Sequence, residues 1–118
     1  MQVLFESRPD IVHREGKLLV VQGKPDVHPE PILDLDPDGP DCAGSKLYGT
    51  VLHDGSVYRM WYQAVSKEWS TNNSSYVACA ESDDGLTWRK PKVGMVEYAG
   101  SRNNNVCDLG MHNPSIWI

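Results

Sequence analysis

The side chains that could move a proton or steady a charge are concentrated in a few stretches of this chain. ESDD at 81–84 places three carboxylates ahead of Gly85 and Trp88. Paired carboxylates can divide acid and base duties when their surroundings keep one of them protonated. Here the spacing points elsewhere, because Asp84-Gly85 is a turn dipeptide and a short acid at that place bonds the backbone N–H groups just ahead of it. Glu81, Asp83 and Asp84 are therefore read as turn residues rather than catalytic ones. Asp41 ends a run of five aspartates interleaved with five prolines between 24 and 44, where the plain reading is a solvated acid. Trp69, next to Lys67 and Glu68 in a polar loop, needs a surface to lie against. No Ser-His-Asp grouping, P-loop or HExxH motif offers other chemistry. Cys42, Cys79 and Cys107 are widely spaced, and an odd count with no CxxC pair gives neither a zinc site nor a closed disulfide set. Neither a metal nor another cofactor is expected, and Cys79 is read as a small buried thiol.

The elements that must position these groups are strands. KLYGTVLHDGSVYRMWYQAVSKEWSTNNSSYVACAESDDGLTWRK (46–90) predicts three strands and the start of a fourth, at about 46–53, 56–63, 75–82 and from 87. Asp54-Gly55 and Asp84-Gly85 supply the positive-φ residues that tight hairpins need. In the second strand Val57, Arg59, Trp61 and Gln63 alternate with Tyr58, Met60 and Tyr62. Apolar groups fall on both faces, so the sheet is expected to be covered on both sides. KLLVVQ at 17–22 predicts one further short strand, and the prolines that follow forbid a helix, so 24–44 should run extended over a surface with Ile32, Leu33 and Leu35 tacking it down.

The expected architecture is all-β, an antiparallel four-stranded meander, with no helix longer than a turn. Residues 1–45 form an N-terminal strand and a Pro/Asp-rich extended segment, 46–92 the meander, and 93–118 a linker opening a second unit like the first. NPSIWI at 113–118 reads as a strand begun and not finished, so more chain is expected beyond it. A net charge of -5 argues against a nucleic-acid backbone as partner. No apolar run approaches bilayer length, and no secretory signal pattern is visible at the start.

SDDGLTW at 82–88 resembles the S-x-D-G-x-x-W hairpins of five-bladed β-propeller glycosidases, the invertase-like and arabinanase-like enzymes, and also the Asp-box of sialidase-type propellers. MWYQ at 60–63 looks like the aromatic-Tyr-Gln ending of the invertase-like second strand. WRKPKVGMVEYAGSRNNNV at 88–106 looks like the tryptophan, lysine-proline, glycine and Asn-Asn pattern that follows the first blade there. The resemblance implies that 46–92 is the first blade of a five-bladed propeller, flanked by the remaining blades of the same polypeptide. A blade is a four-stranded meander sandwiched between neighbours, which accounts for its two apolar faces.

The implied function is glycosidic bond hydrolysis, with carbohydrate as partner and the ligand at the end where first strands begin. By that likeness Asp41 stands near the place of a nucleophile or base aspartate, and Trp69, His112 and Asn113 near the rim as substrate-binding residues. Asn113 occupies the place of an aspartate that steadies the transition state, and an amide can bond a sugar hydroxyl but cannot supply negative charge. The general acid is expected from a later blade, so this stretch alone is expected to be inactive. The alternatives are a non-catalytic carbohydrate-binding or scaffold propeller, and a free-standing small β-domain working by protein contact.

Overall fold

The computed structural model describes residues 23–68, 75–110 and 114–117. Among these residues there is no helix. The strands are β1 (Gly44–Lys46), β2 (Val51–His53), β3 (Tyr58–Val65), β4 (Ser75–Ser82), β5 (Trp88–Arg89) and β6 (Val106–Cys107). All pair antiparallel in one sheet. β3 and β4 pair along their whole length, from Tyr58 opposite Ser82 to Val65 opposite Ser75. β1 and β2 share the other edge of β3, and β5 and β6 share the other edge of β4. The result is a meander of four tracks whose two outer tracks are each broken in the middle. The strand expected at 17–22 and the residues Trp69, His112 and Asn113 lie outside the described residues.

Three expectations need correcting. The first track is two strands, not one: residues 47–50 leave the pairing between β1 and β2, although the Trp61 N–H still donates to the Thr50 carbonyl at 2.9 Å. The second track begins at Tyr58 and runs on to Val65, so Ala64 and Val65 belong to the sheet rather than to the following loop. Val106 and Cys107 complete the edge of this same sheet, pairing with Ala78 and Val77, instead of opening a second unit. The reason is an excursion of the chain over 90–105 that separates the two halves of the last track.

The turns form as the Asp-Gly pairs require. Gly55 and Gly85 have φ of 93° and 77°, in the region only glycine enters freely. Within the 90–105 excursion, Tyr98 and Ser101 exchange N–H···O=C bonds at 2.9 and 3.0 Å around Ala99 and Gly100. Both central residues have positive φ, 50° and 78°, the pattern of a type I′ turn. Alanine is strained there. Ala99→Gly is expected to raise stability by about 0.5 kcal/mol, read as a shift in denaturation midpoint at unchanged m-value.

Both faces of the sheet are apolar, as the alternation in β3 requires. Met60, Tyr62 and Ala64 pack with Ala78 and Ala80 on one face, under Leu33, Tyr76 and Trp88. Val77, Cys79 and Cys107 pack on the other, with Trp61, Val93 and Leu109. The Pro/Asp segment runs without regular strand over the first face. Leu33 alone of its three expected anchors packs on the sheet core, since Ile32 and Leu35 are exposed. An apolar flank stays open along the first track, where Leu47, Tyr48 and Val51 are exposed. After β6 the chain returns to this flank: the Thr50 hydroxyl donates to the Pro114 carbonyl at 3.2 Å and accepts from the Ile116 N–H at 3.1 Å.

Candidate functional site

Asp41 is not solvated: it is completely buried. It sits three residues ahead of β1, and its carbonyl accepts the Gly44 N–H at 2.9 Å, a turn that aims the side chain onto the sheet. There the Tyr62 hydroxyl donates to Oδ2 at 2.9 Å, and the Lys90 ammonium stands 2.7 Å from the same oxygen. Oδ1 receives the backbone N–H of Asp36 at 3.3 Å. Asn105 completes the group, its Nδ2 donating to the Tyr62 hydroxyl at 2.9 Å and to the Cys79 carbonyl at 2.8 Å. Every member has partners, which is what a buried charge demands. Burial, and next the adjacent Asp41 charge, push the Tyr62 hydroxyl far above the usual phenol range, so it remains a donor.

This arrangement clamps. It fastens the Pro/Asp segment (through Asp41) to β3 (through Tyr62), to the residue after β5 (Lys90) and to the residue before β6 (Asn105). Beside it lies a cleft of about 350 Å³ between the Pro/Asp segment and the 90–105 excursion, with Lys90, Lys92, Tyr98 and Asn103 among its lining. Lys90 lines that cleft and Asp41 does not. Sequence reasoning singled out Asp41 but missed Tyr62 and Lys90 as its partners, and Asn105 as the partner of Tyr62. A signal was present: the MWYQ and lysine-proline stretches each contribute one residue to this carboxylate, and the Asn-Asn stretch contributes Asn105, which bonds the Tyr62 hydroxyl.

Of the carboxylates at 81–84, Asp84 does what turn chemistry requires, and the other two need correcting. Asp84 Oδ1 accepts the N–H groups of Leu86 and Thr87 at 2.8 and 2.7 Å, and the Ser82 hydroxyl at 3.0 Å. The Ser82 Oγ accepts the Gly85 N–H at 2.8 Å, and Trp88 Nε1 donates to the Gly85 carbonyl at 3.0 Å. Asp83 bonds no backbone here; it pairs with Arg89 at 3.0 Å. Glu81 is a strand residue, lying between Arg59 and Arg89 at 3.4 and 3.6 Å. The 54–57 and 83–87 turns lie together at one end of the sheet, Gly85 against the ring of Tyr58.

Asp54 repeats the Asp84 pattern, accepting from the N–H groups of Ser56 and Val57 and from the Ser56 hydroxyl. The Val57 N–H in one turn and the Thr87 N–H in the other hold these two carboxyls well below the usual carboxylate range. A depressed folded-state value means that the stabilisation is present above the unfolded pKa of about 3.9 and is lost as pH falls through the folded value. Stability is therefore expected to drop on acidification below pH of about 4. Asp84→Asn keeps the acceptor oxygen but cannot be protonated in this range, so its denaturation midpoint should fall less steeply between pH of about 4 and 2 than the parent's.

Among the described residues no group of three or more His, Cys, Asp or Glu is placed to hold a metal ion. No family model matches the chain, and no solved structure matches it. Two curated relatives do, both from Mycobacterium tuberculosis: the uncharacterized protein Rv1502 of strain H37Rv and the uncharacterized protein MT1551 of strain CDC 1551. Each is 31% identical over 80 residues, which cover 65% of this chain and 25% of the relative. The matched stretch thus spans about a quarter of the length of the curated relatives to which this chain is similar.

Proposed function

We propose that this chain is the N-terminal part, chiefly the first blade, of a five-bladed β-propeller that acts on carbohydrate, with glycosidic bond hydrolysis as the activity of the whole protein. The observation that carries the reading is the 82–88 hairpin, in which Ser82, Asp84, Gly85 and Trp88 each hold the turn together as a propeller-type blade hairpin would need. Two further features support it. The meander is apolar on both faces, the condition of a sheet wedged between others. The chain also comes back from the last track to the first, at Thr50, where the inner strand of a following blade would start. Relatives four times as long as the matched stretch leave room for such blades.

A second reading, a propeller that binds carbohydrate without cleaving it, is favoured by the burial of Asp41 against Lys90 and by the amide at Asn113. Hydrolysis through Asp41 would require Lys90 and Tyr62 to give up its Oδ2. Glycan binding and glycoside turnover measured side by side on the full-length protein separate the two. Turnover that Asp41→Asn abolishes in protein still folded at the assay temperature supports the hydrolase and gives Asp41 a direct role. Binding without turnover, weakened by Trp69→Ala or His112→Ala, supports the second. A full-length protein that neither binds nor cleaves any member of a broad glycan panel overturns both.

A further inference from the structure

Cys79 on β4 and Cys107 on β6 lie on adjacent antiparallel strands and on the same face of the sheet. Cys107 pairs with Val77, so Cys79 is its diagonal neighbour, one alternation along the strand. Both are buried in a single cluster with Val77, both are free thiols, and each perturbs the acidity of the other. The two are equally enclosed, each 8% exposed, but only one lines an open cleft. A cleft of about 270 Å³, with Tyr76, Val77, Val106 and Leu109 among its walls, reaches Cys107 but not Cys79. Their acidity differs in the same sense: the neighbouring Cys79 thiol draws Cys107 below its ordinary value, while Cys107 and burial push Cys79 up. Bridging a diagonal pair requires a small slide of one strand. The shift needed is the difference between a diagonal spacing of about 7–8 Å and the ~5.5–6 Å usual across a disulfide.

We propose that Cys79 and Cys107 form a reversible dithiol–disulfide site that takes a small-molecule disulfide as its oxidant and, when closed, ties β6 to β4. The Cys107 thiolate attacks one sulfur of the small disulfide, whose S–S bond breaks; the departing thiolate takes up the proton Cys107 gave away. Cys79 then loses its proton and attacks the Cys107 sulfur of the mixed disulfide, expelling the second small thiol. One disulfide is reduced to two thiols, and two protein thiols are oxidised to one disulfide. The closed bridge spans the whole 90–105 excursion and so fixes Lys90 and Asn105 around Asp41. Neither step depends on the carbohydrate reading.

Bis(2-hydroxyethyl) disulfide is the probe, applied to the folded full-length protein, followed by alkylation and trypsin without reduction. The expected product joins the peptide 68–89 to the peptide that begins at Asn103, with Cys42 still alkylated. The bridged protein should melt on the order of 10 °C higher, since the bridge constrains the unfolded chain. Cys79→Ala should stop at the mixed disulfide on Cys107, whereas Cys107→Ala should leave Cys79 unreacted. The proposal is overturned if the joined peptide is absent from oxidised folded protein, if it forms only in denaturant, or if the bridge involves Cys42. It is overturned equally if Cys107→Ala leaves Cys79 as reactive as in the parent.

Discussion

Asp41→Ala is expected to destabilise the protein by about 3 kcal/mol, one of the two largest effects of a single substitution in this sheet. Breaking a buried ion pair by removing one partner typically costs ~3–5 kcal/mol, because the other charge is left without compensation. Lys90 retains some contact with water, with 20% of its side chain exposed against none for Asp41, which moves the expectation to the low end. The Tyr62 hydroxyl would lose its acceptor at the same time, and the Asp36 N–H its side-chain oxygen. Lys90→Met should cost a comparable amount, since it strands the carboxylate. The double change Asp41→Leu with Lys90→Met should then cost clearly less than the two singles added together, as expected for residues that act through each other. Urea denaturation of the four proteins decides it. A loss below about 1 kcal/mol for Asp41→Ala would show that the clamp contributes no more than a surface pair does.

That clamp marks the limit of what residue types can reveal. Asp41 stands among four other aspartates and five prolines, and nothing local separates it from Asp38, whose backbone N–H merely bonds Asp36 at 3.1 Å. Its side-chain partners, Tyr62 and Lys90, come from two other places in the chain, and only the folded sheet brings them to it. Short-range features were legible by contrast. Asp-Gly pairs dictated both turns, and the alternation of Tyr58, Met60 and Tyr62 with Arg59 and Trp61 gave the two faces correctly. The pairings of β2 with β3 and of β4 with β5 follow from the turns that join them. What failed was anything set by a distant contact: the break in the first track, and the assignment of Val106 and Cys107 across the 90–105 excursion. The same excursion hid the candidate thiol pair, since Cys79 and Cys107 become neighbours only when β6 returns to β4.

The break in the first track leads to the other large effect, Gly49→Ala, expected to cost about 3 kcal/mol. Glycine is required at 49 by proximity and not by backbone conformation, as this residue is absent from those with positive φ. A Cβ added there would overlap the carbonyl of Trp61, a backbone group in the middle of β3 that has no rotamer by which to move away, and it would also touch the ring of Pro114. Relief would demand that residues 47–50 swing outward. That motion would pull Thr50 from the Trp61 N–H, and from Pro114 and Ile116, whose backbone bonds converge on its hydroxyl. Gly110→Ala, where an added Cβ meets nothing, is the matched control and should be nearly neutral. Amide exchange supplies the local readout: Gly49→Ala should expose the Trp61 N–H to exchange well beyond the global change, while that of Tyr62 follows global stability. Equal effects at 49 and 110, or unaltered protection at Trp61, would mean that the close approach of the first track to β3 does not govern how the two are held.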